Sequence, residues 1–88
     1  MIYYVYILEC SDKTLYTGIT TNLSRRVDEH NHSSRGAKYT RVRRPIKLLY
    51  SKECGDRSQA SQEEYRIKKL SRVEKLELIS KNRDNIKG

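Results

Sequence analysis

Residues 3–30, YYVYILECSDKTLYTGITTNLSRRVDEH, hold two tyrosine-bearing apolar runs, a Tyr-Thr-Gly step, a helix cap and an Arg–His pair in unbroken succession. Successive side chains of a strand point to opposite faces. A first strand over residues 2–9 therefore puts Tyr4, Tyr6 and Leu8 on one face and Tyr3, Val5 and Ile7 on the other. Both faces are largely apolar or aromatic, the pattern of a central strand covered on two sides. A second strand over 14–20 follows Ser11-Asp12-Lys13, which lacks the Asn-Gly or Asp-Gly signature of a two-residue hairpin. Loop length decides the pairing, because directly opposed residues of an antiparallel pair share a face. A two-residue loop at Asp12-Lys13 opposes Tyr6 to Ile19 and sends Tyr16 to the opposite face. An odd-numbered loop opposes Tyr6 to Gly18 and Leu8 to Tyr16, so both tyrosines share one face. If the tyrosines work together the loop is odd, and the bare Gly18 opposite Tyr6 leaves space for a ligand. Asn22 is the expected N-cap of a helix running to about His32. Leu23 and Val27 form its apolar stripe. Arg26 and His30 lie one turn apart beside that stripe and are expected to flank the groove where the helix meets the sheet.

With 88 residues, a single core must serve the whole chain, expected as one domain over 1–82 with a polar C-terminal tail at 83–88. There is no Trp or Phe, so seven tyrosines carry all the aromatic area, each with a hydroxyl suited to water or a ligand. Tyr3 and Tyr50 are assigned to the core. A net charge of +8, from 19 basic against 11 acidic residues, attracts polyanions, nucleic acid ahead of acidic membrane surfaces. The N-terminus reads as strand rather than signal peptide, and no apolar run approaches membrane-spanning length. A cytoplasmic protein with no membrane partner is expected. Cys10 and Cys54 fit neither a zinc pattern nor a redox pair and read as reduced, partly buried thiols.

Residues 33–45, SSRGAKYTRVRRP, carry Arg35, Lys38, Arg41, Arg43 and Arg44 around Gly36, Tyr39 and Thr40. No helical or strand period holds the segment together, so it reads as a loop. Its charge suits a phosphate-contacting arm, with Tyr39 available to stack on a base; the plainer account is a soluble connection. Ile46 to Lys52 gives a third strand. Asp56 or Ser58 starts a helix to Leu70, and Ser71-Arg72-Val73-Glu74 is a capping box for a last helix packing through Val73, Leu76 and Ile79. In the middle helix Ala60, Glu64, Ile67 and Ser71 share one stripe. Glu64 is thus a carboxylate on the apolar side, where it needs a cation. From the helix alone, a salt bridge to Arg26 or a neighbouring lysine is the simpler account, and a divalent metal with open water positions is the functional one.

Tyr6, Tyr16, Arg26, His30 and Glu64, with backbone access at Gly18, form the candidate set. It has no serine or cysteine nucleophile paired with a base, no second carboxylate for glycoside chemistry and no Walker-type phosphate loop. One metal ligand, one phosphate clamp, one imidazole and two phenols suit phosphodiester hydrolysis by water.

Here the sequence resembles the GIY-YIG nuclease superfamily. Tyr4-Val5-Tyr6 stands in the first motif position and Tyr16-Thr17-Gly18 in the second. Leu23-Ser24-Arg25-Arg26, followed by His30, is similar to the family's helix with Arg and His one turn apart. Glu64 falls where the family has its single metal-binding glutamate. Gly36-Ala37-Lys38-Tyr39-Thr40-Arg41 and Ile67-Lys68-Lys69-Leu70-Ser71-Arg72 resemble the small stand-alone branch labelled UPF0213 or YhbQ-like, itself similar to structure-selective junction endonucleases. Tyr4 and Val5 replace the Gly and Ile that name the motif. Ile19 stands where several family nucleases place a lysine.

The resemblance implies one-metal hydrolysis of DNA, single-stranded or branched, in repair or recombination. Glu64 would hold one Mg²⁺ or Mn²⁺, Arg26 would clamp the scissile phosphate, and Tyr16 would orient or deprotonate the attacking water, assisted by Tyr6 or His30. A free phenol, with a pKa near ~10, is a poor base at neutral pH. Whether Tyr16 acts as phenolate or His30 handles the proton stays open. The extra domains by which larger members find substrates have no counterpart here, which leaves room for a protein partner that supplies targeting. The alternative is a nucleic-acid-binding module of the same fold with little or no turnover. A basic RNA-associated protein fits the charge but leaves Glu64 and the tyrosine pair unexplained. The expected fold is α+β: a small, mainly antiparallel three-stranded sheet flanked by helices, in order ββαβαα.

Overall fold

In the computed structural model, which describes residues 1–87 and side chains through Asn82, the chain forms strands β1 (Tyr4–Glu9), β2 (Leu15–Thr20) and β3 (Lys47–Glu53). Helices are α1 (Leu23–His32), the single turn α2 (Lys38–Arg41), α3 (Arg57–Lys68) and α4 (Arg72–Lys87). The side chains of the tail expected at 83–88, and the whole of Gly88, lie outside the described residues. The sheet is antiparallel in the order β2-β1-β3, with β1 central as its two apolar faces require. Tyr6 pairs with Gly18 and Leu8 with Tyr16, the odd-loop register that puts both tyrosines on one face.

The two faces of β1 supply two cores. Val5 and Ile7 pack with Tyr50, Ile67 and Ile79 beneath α3 and α4, and Ile19 of β2 joins them. Tyr6 and Leu8 pack with Cys10 and Ile46, closed by Tyr16, Leu23 and Val27 on the α1 side. A bulge between β1 and β3 pairs Ile7 with Tyr50 and Leu8 with Leu48. The extra residue lets Leu49 and Tyr50 both serve the α3/α4 core.

Caps fix the helix starts. The Asn22 side chain accepts from the Arg25 amide, and Asp56 and Gln59 form a reciprocal capping box on α3. Ser71 and Glu74 do the same for α4 through contacts of 2.9 and 3.2 Å. Three expectations need correction. Segment 33–45 contains the turn α2, held by hydrogen bonds to the Ala37 carbonyl rather than by any apolar period. α3 ends at Lys68 rather than Leu70. α4 enters the core through Leu78 and Ile79; Val73 and Leu76 are exposed, and α4 packs on the edge strand β3. Cys10 and Cys54 are free thiols. Among the described residues no helix is long and apolar enough to cross a membrane.

Candidate active site

The strand register brings Tyr6 to the bottom of the site, and its ring lies across Gly18. A Cβ on Gly18 would stand 2.5 Å from the Tyr6 hydroxyl. The space expected to admit a ligand opposite Tyr6 is therefore filled by that phenol itself, and Gly18 serves the tyrosine rather than the solvent.

The Tyr6 hydroxyl meets His30 Nε2 at 3.0 Å, and His30 Nδ1 meets Thr40 Oγ1 at 2.8 Å. Instead of flanking a groove, His30 is wholly buried behind the tyrosine. Gly36 makes this possible. Its Cα lies so close to α1 that a Cβ would come within 2.8 Å of the Glu29 carbonyl oxygen (2.7 Å) and of the His30 Cα (2.8 Å), so only glycine lets the following turn dock and deliver Thr40. Burial, reinforced by the Arg26 charge, lowers the His30 pKa to about 4, so the ring is neutral at physiological pH. Burial pushes the Tyr6 phenol up, with Arg26 beside it pulling the other way and Glu64 and Tyr16 adding to the rise.

Arg26 donates from one guanidinium nitrogen to Glu29 Oε1 and to the Arg35 carbonyl, both at 2.9 Å. That hydrogen bond holds the Glu29 carboxyl below its ordinary pKa. A guanidinium has five N–H donors in a planar fork, so this anchoring leaves others for Tyr6, beside which Arg26 lies.

Tyr16 occupies the rim. Its ring meets His30 edge-on at 5.4 Å and stacks on Tyr39 at 6.1 Å with 21° between planes. Tyr39 also carries the Arg43 guanidinium 4.0 Å from its ring centre, so the ring expected to stack on a base is already engaged by two neighbours. Leu15, Tyr16, Thr17 and Tyr39, with Lys68 and Lys75, line an open cleft of about 290 Å³. A larger groove of about 400 Å³, between Leu23, Val27, Asn31 and Leu48, contains none of the candidate residues; its one acid–imidazole contact, Asp28 with His32 at 4.0 Å, is an exposed pair one helical turn apart.

Glu64 lies between the buried Ala60 and Ile67 on α3 as expected, and its cation is Lys68 at 3.3 Å, one turn on; Arg26 pairs with Glu29 instead. Among the described residues no three His, Cys, Asp or Glu side chains gather around a common point. A single half-buried carboxylate whose charge reaches Tyr6 nevertheless fits one hard divalent cation, since Mg²⁺ commonly takes one or two carboxylates and completes its shell with water and phosphate.

The basic segment divides. Arg35, Lys38 and Arg41 are exposed and make no ion pair among the described residues. Arg43, by contrast, bonds Asp12 at 3.1 Å and the Tyr39 carbonyl at 2.9 Å. Arg44 donates to the carbonyls of His30 and Ser33, both at 2.6 Å, closing the C-terminus of α1. These two arginines tie the segment to the hairpin and the helix, and the phosphate-facing surface expected of them is narrower by two. Sequence reasoning assigned no role to Thr40 or Lys75. Thr40 stood in the quoted Gly36–Arg41 run, but a buried hydroxyl has no local signature in sequence. Lys75 was hidden because α4 reaches the cleft only through the tertiary fold. Ile19 has a structural explanation: it faces the α3/α4 core.

Residues 2–77 match the family of the GIY-YIG catalytic domain. A UPF0213 protein of Desulfotalea psychrophila is 57% identical over 77 residues, spanning 88% of this chain and 70% of that one. One of Syntrophus aciditrophicus is 56% identical over 79 residues, spanning 90% and 91%. The solution structure of a UPF0213 protein from Bacillus halodurans superposes with a TM-score of 0.58 at 46% identity, covering 91% of this chain and 84% of that one. The solution structure of a protein from E. faecalis gives 0.62 at 36% identity, covering 93% and 88%. Strand register, tyrosine pair and sequence kinship agree, and the chain belongs to the GIY-YIG family, in its UPF0213 branch.

Proposed function

We propose that this chain is a divalent-metal-dependent DNA endonuclease that hydrolyses phosphodiester bonds in single-stranded or branched DNA, work suited to repair or recombination. The observation that carries this reading is that Tyr6, Tyr16, His30 and Arg26 gather at one place, within reach of the Glu64 charge and beside the cleft lined by Tyr16, Tyr39, Lys68 and Lys75. Glu64 would hold Mg²⁺ or Mn²⁺, which when bound supplies Lewis-acid polarisation of the phosphate and stabilises the leaving oxygen.

The chain's own groups do the rest. Arg26 donates to the scissile phosphate and neutralises charge that grows in the transition state. Tyr16, at the rim, contacts and orients the attacking water. His30 is neutral and sealed behind Tyr6, so it reaches that water only through the Tyr6 hydroxyl. This makes Tyr16 the water-contacting group of the two candidates. Lys68 and Lys75 take phosphates on either side of the scissile one, and Arg35, Lys38 and Arg41 extend the positive surface.

A second reading, a binding module without turnover, is favoured by one observation: the Glu64–Lys68 pair already neutralises the carboxylate. Incubating the protein with labelled single-stranded, duplex, flap and branched DNA in Mg²⁺, Mn²⁺ or EDTA separates the two. Products that need metal support the nuclease and rank its substrates. Tight, salt-sensitive binding of every substrate with no product would leave the module.

A further inference from the structure

Thr40 is absent from the cleft lining and wholly buried, and its hydroxyl lies between the His30 ring and a backbone carbonyl. A threonine hydroxyl has one proton to give. Thr40 Oγ1 stands 2.9 Å from the Ala37 carbonyl, which can only accept, and 2.8 Å from His30 Nδ1. If the hydroxyl donates to Ala37, then Nδ1 must carry the ring proton and donate to Thr40. Nε2 is left bare, 3.0 Å from the Tyr6 hydroxyl. The opposite tautomer would keep the 2.8 Å contact, with the Thr40 hydroxyl now donating to Nδ1, and would gain the Ala37 amide contact at 3.4 Å, the longest of the set, but would lose the 2.9 Å bond to the Ala37 carbonyl. The 2.9 Å bond outweighs the 3.4 Å one.

We infer that Thr40 is a positioning residue for the hydrolytic site: it fixes His30 as the Nδ1–H tautomer, so that the Tyr6 hydroxyl donates inward to Nε2. The phenol proton is thereby turned away from the cleft. The oxygen lone pairs of Tyr6 are left to the Arg26 guanidinium, which faces them, and to the attacking water. No proton is transferred in this arrangement; it orients one. Gly36 and α2 exist, on this account, to carry a hydroxyl to the back of an imidazole.

The inference rests on the nuclease reading for its consequence but not for its geometry, and the test separates them. Imidazole nitrogen shifts of His30 in the wild-type protein report the tautomer without any substrate. Nδ1–H is expected; Nε2–H would overturn the inference whether or not the protein cleaves DNA. Thr40→Val keeps the volume and removes the hydroxyl, and should release the tautomer and slow cleavage of a labelled branched DNA in Mg²⁺ by about 10-fold, as for a lost buried hydrogen bond. Thr40→Ser should restore both within about 3-fold, the scale of a merely repacked bond. A folded Thr40→Val with wild-type tautomer and rate overturns the inference. Should Thr40→Val not fold, the wild-type tautomer and the Ser variant still decide it.

Discussion

The two halves of the site are built differently. The inner half, Tyr6, His30 and Thr40, is buried and bonded end to end within 2.8–3.0 Å. In the outer half, Tyr16, Tyr39, Glu64, Lys68 and Lys75 are half-buried or exposed and held by ring stacking and one partly exposed ion pair. The inner half takes its order from folding and cannot be altered without cost to the fold. The outer half is open to a substrate and contributes little to stability, since exposed ion pairs one helical turn apart are worth only about 0.3–0.5 kcal/mol. A rigid buried base with an adaptable charged rim is what a site needs when water and phosphate must be aimed and a long polyanion must still enter and leave.

That contrast can be broken first at Tyr6. Tyr6→Ala removes a buried ring shared by the α1-side core and the His30 bond, and should cost about 3–5 kcal/mol in chemical denaturation. A loss below about 1 kcal/mol, the scale of surface substitutions, would mean that the inner half is not built into the core.

The next effect is on pH. His30 is neutral in the fold down to about 4, whereas its ordinary value is 6.5. The unfolded chain therefore binds the extra proton between those values. Stability from this group is whole above pH 6.5 and declines as pH falls to about 4, by up to about 3 kcal/mol. Denaturation across that range should show this slope in the wild type and a flatter one in His30→Gln. Identical slopes would place His30 in contact with water.

Gly18→Ala sharpens the boundary between the halves. The added methyl would press on the Tyr6 hydroxyl, which His30 holds from the other side, and overpacking of this kind costs about 1–3 kcal/mol. The smallest effect belongs to the rim. Lys75→Ala should change stability by under about 0.5 kcal/mol. The slope of log affinity for DNA against log salt should nevertheless become shallower by about one phosphate contact's worth. An unchanged slope would remove Lys75 from the DNA path.

Local chemistry carried much of this into the sequence. The Tyr6–Gly18 register was one of two that strand alternation and loop parity allowed, the one that lets the tyrosines share a face. Short-range hydrogen bonding gave the caps at Asn22 and Ser71, and Asp56 as one of two candidates with Ser58. What depends on distant partners was not legible. Arg43 and Arg44 looked like their exposed neighbours, because nothing nearby announces that Asp12 and the end of α1 will claim them. Val73 and Leu76 fit a helical stripe, but only the placement of α4 against β3 decides which residues reach the core. The burial of His30 depends on Gly36 docking from six positions away, a tertiary contact with no period to read.

The account turns on Glu64, the residue that joins an open rim to hydrolytic chemistry. Among the described residues Glu64→Ala breaks only the Lys68 pair, so its fold should match the wild type by NMR and its DNA binding should persist. Cleavage of a labelled branched DNA in Mg²⁺ or Mn²⁺ by the two folded proteins, side by side under single-turnover conditions, is the most direct measurement. Metal-dependent products from the wild type and none from Glu64→Ala are the predicted result. Equal cleavage by both would contradict the assignment of Glu64 to the metal, and no cleavage by either would contradict the nuclease.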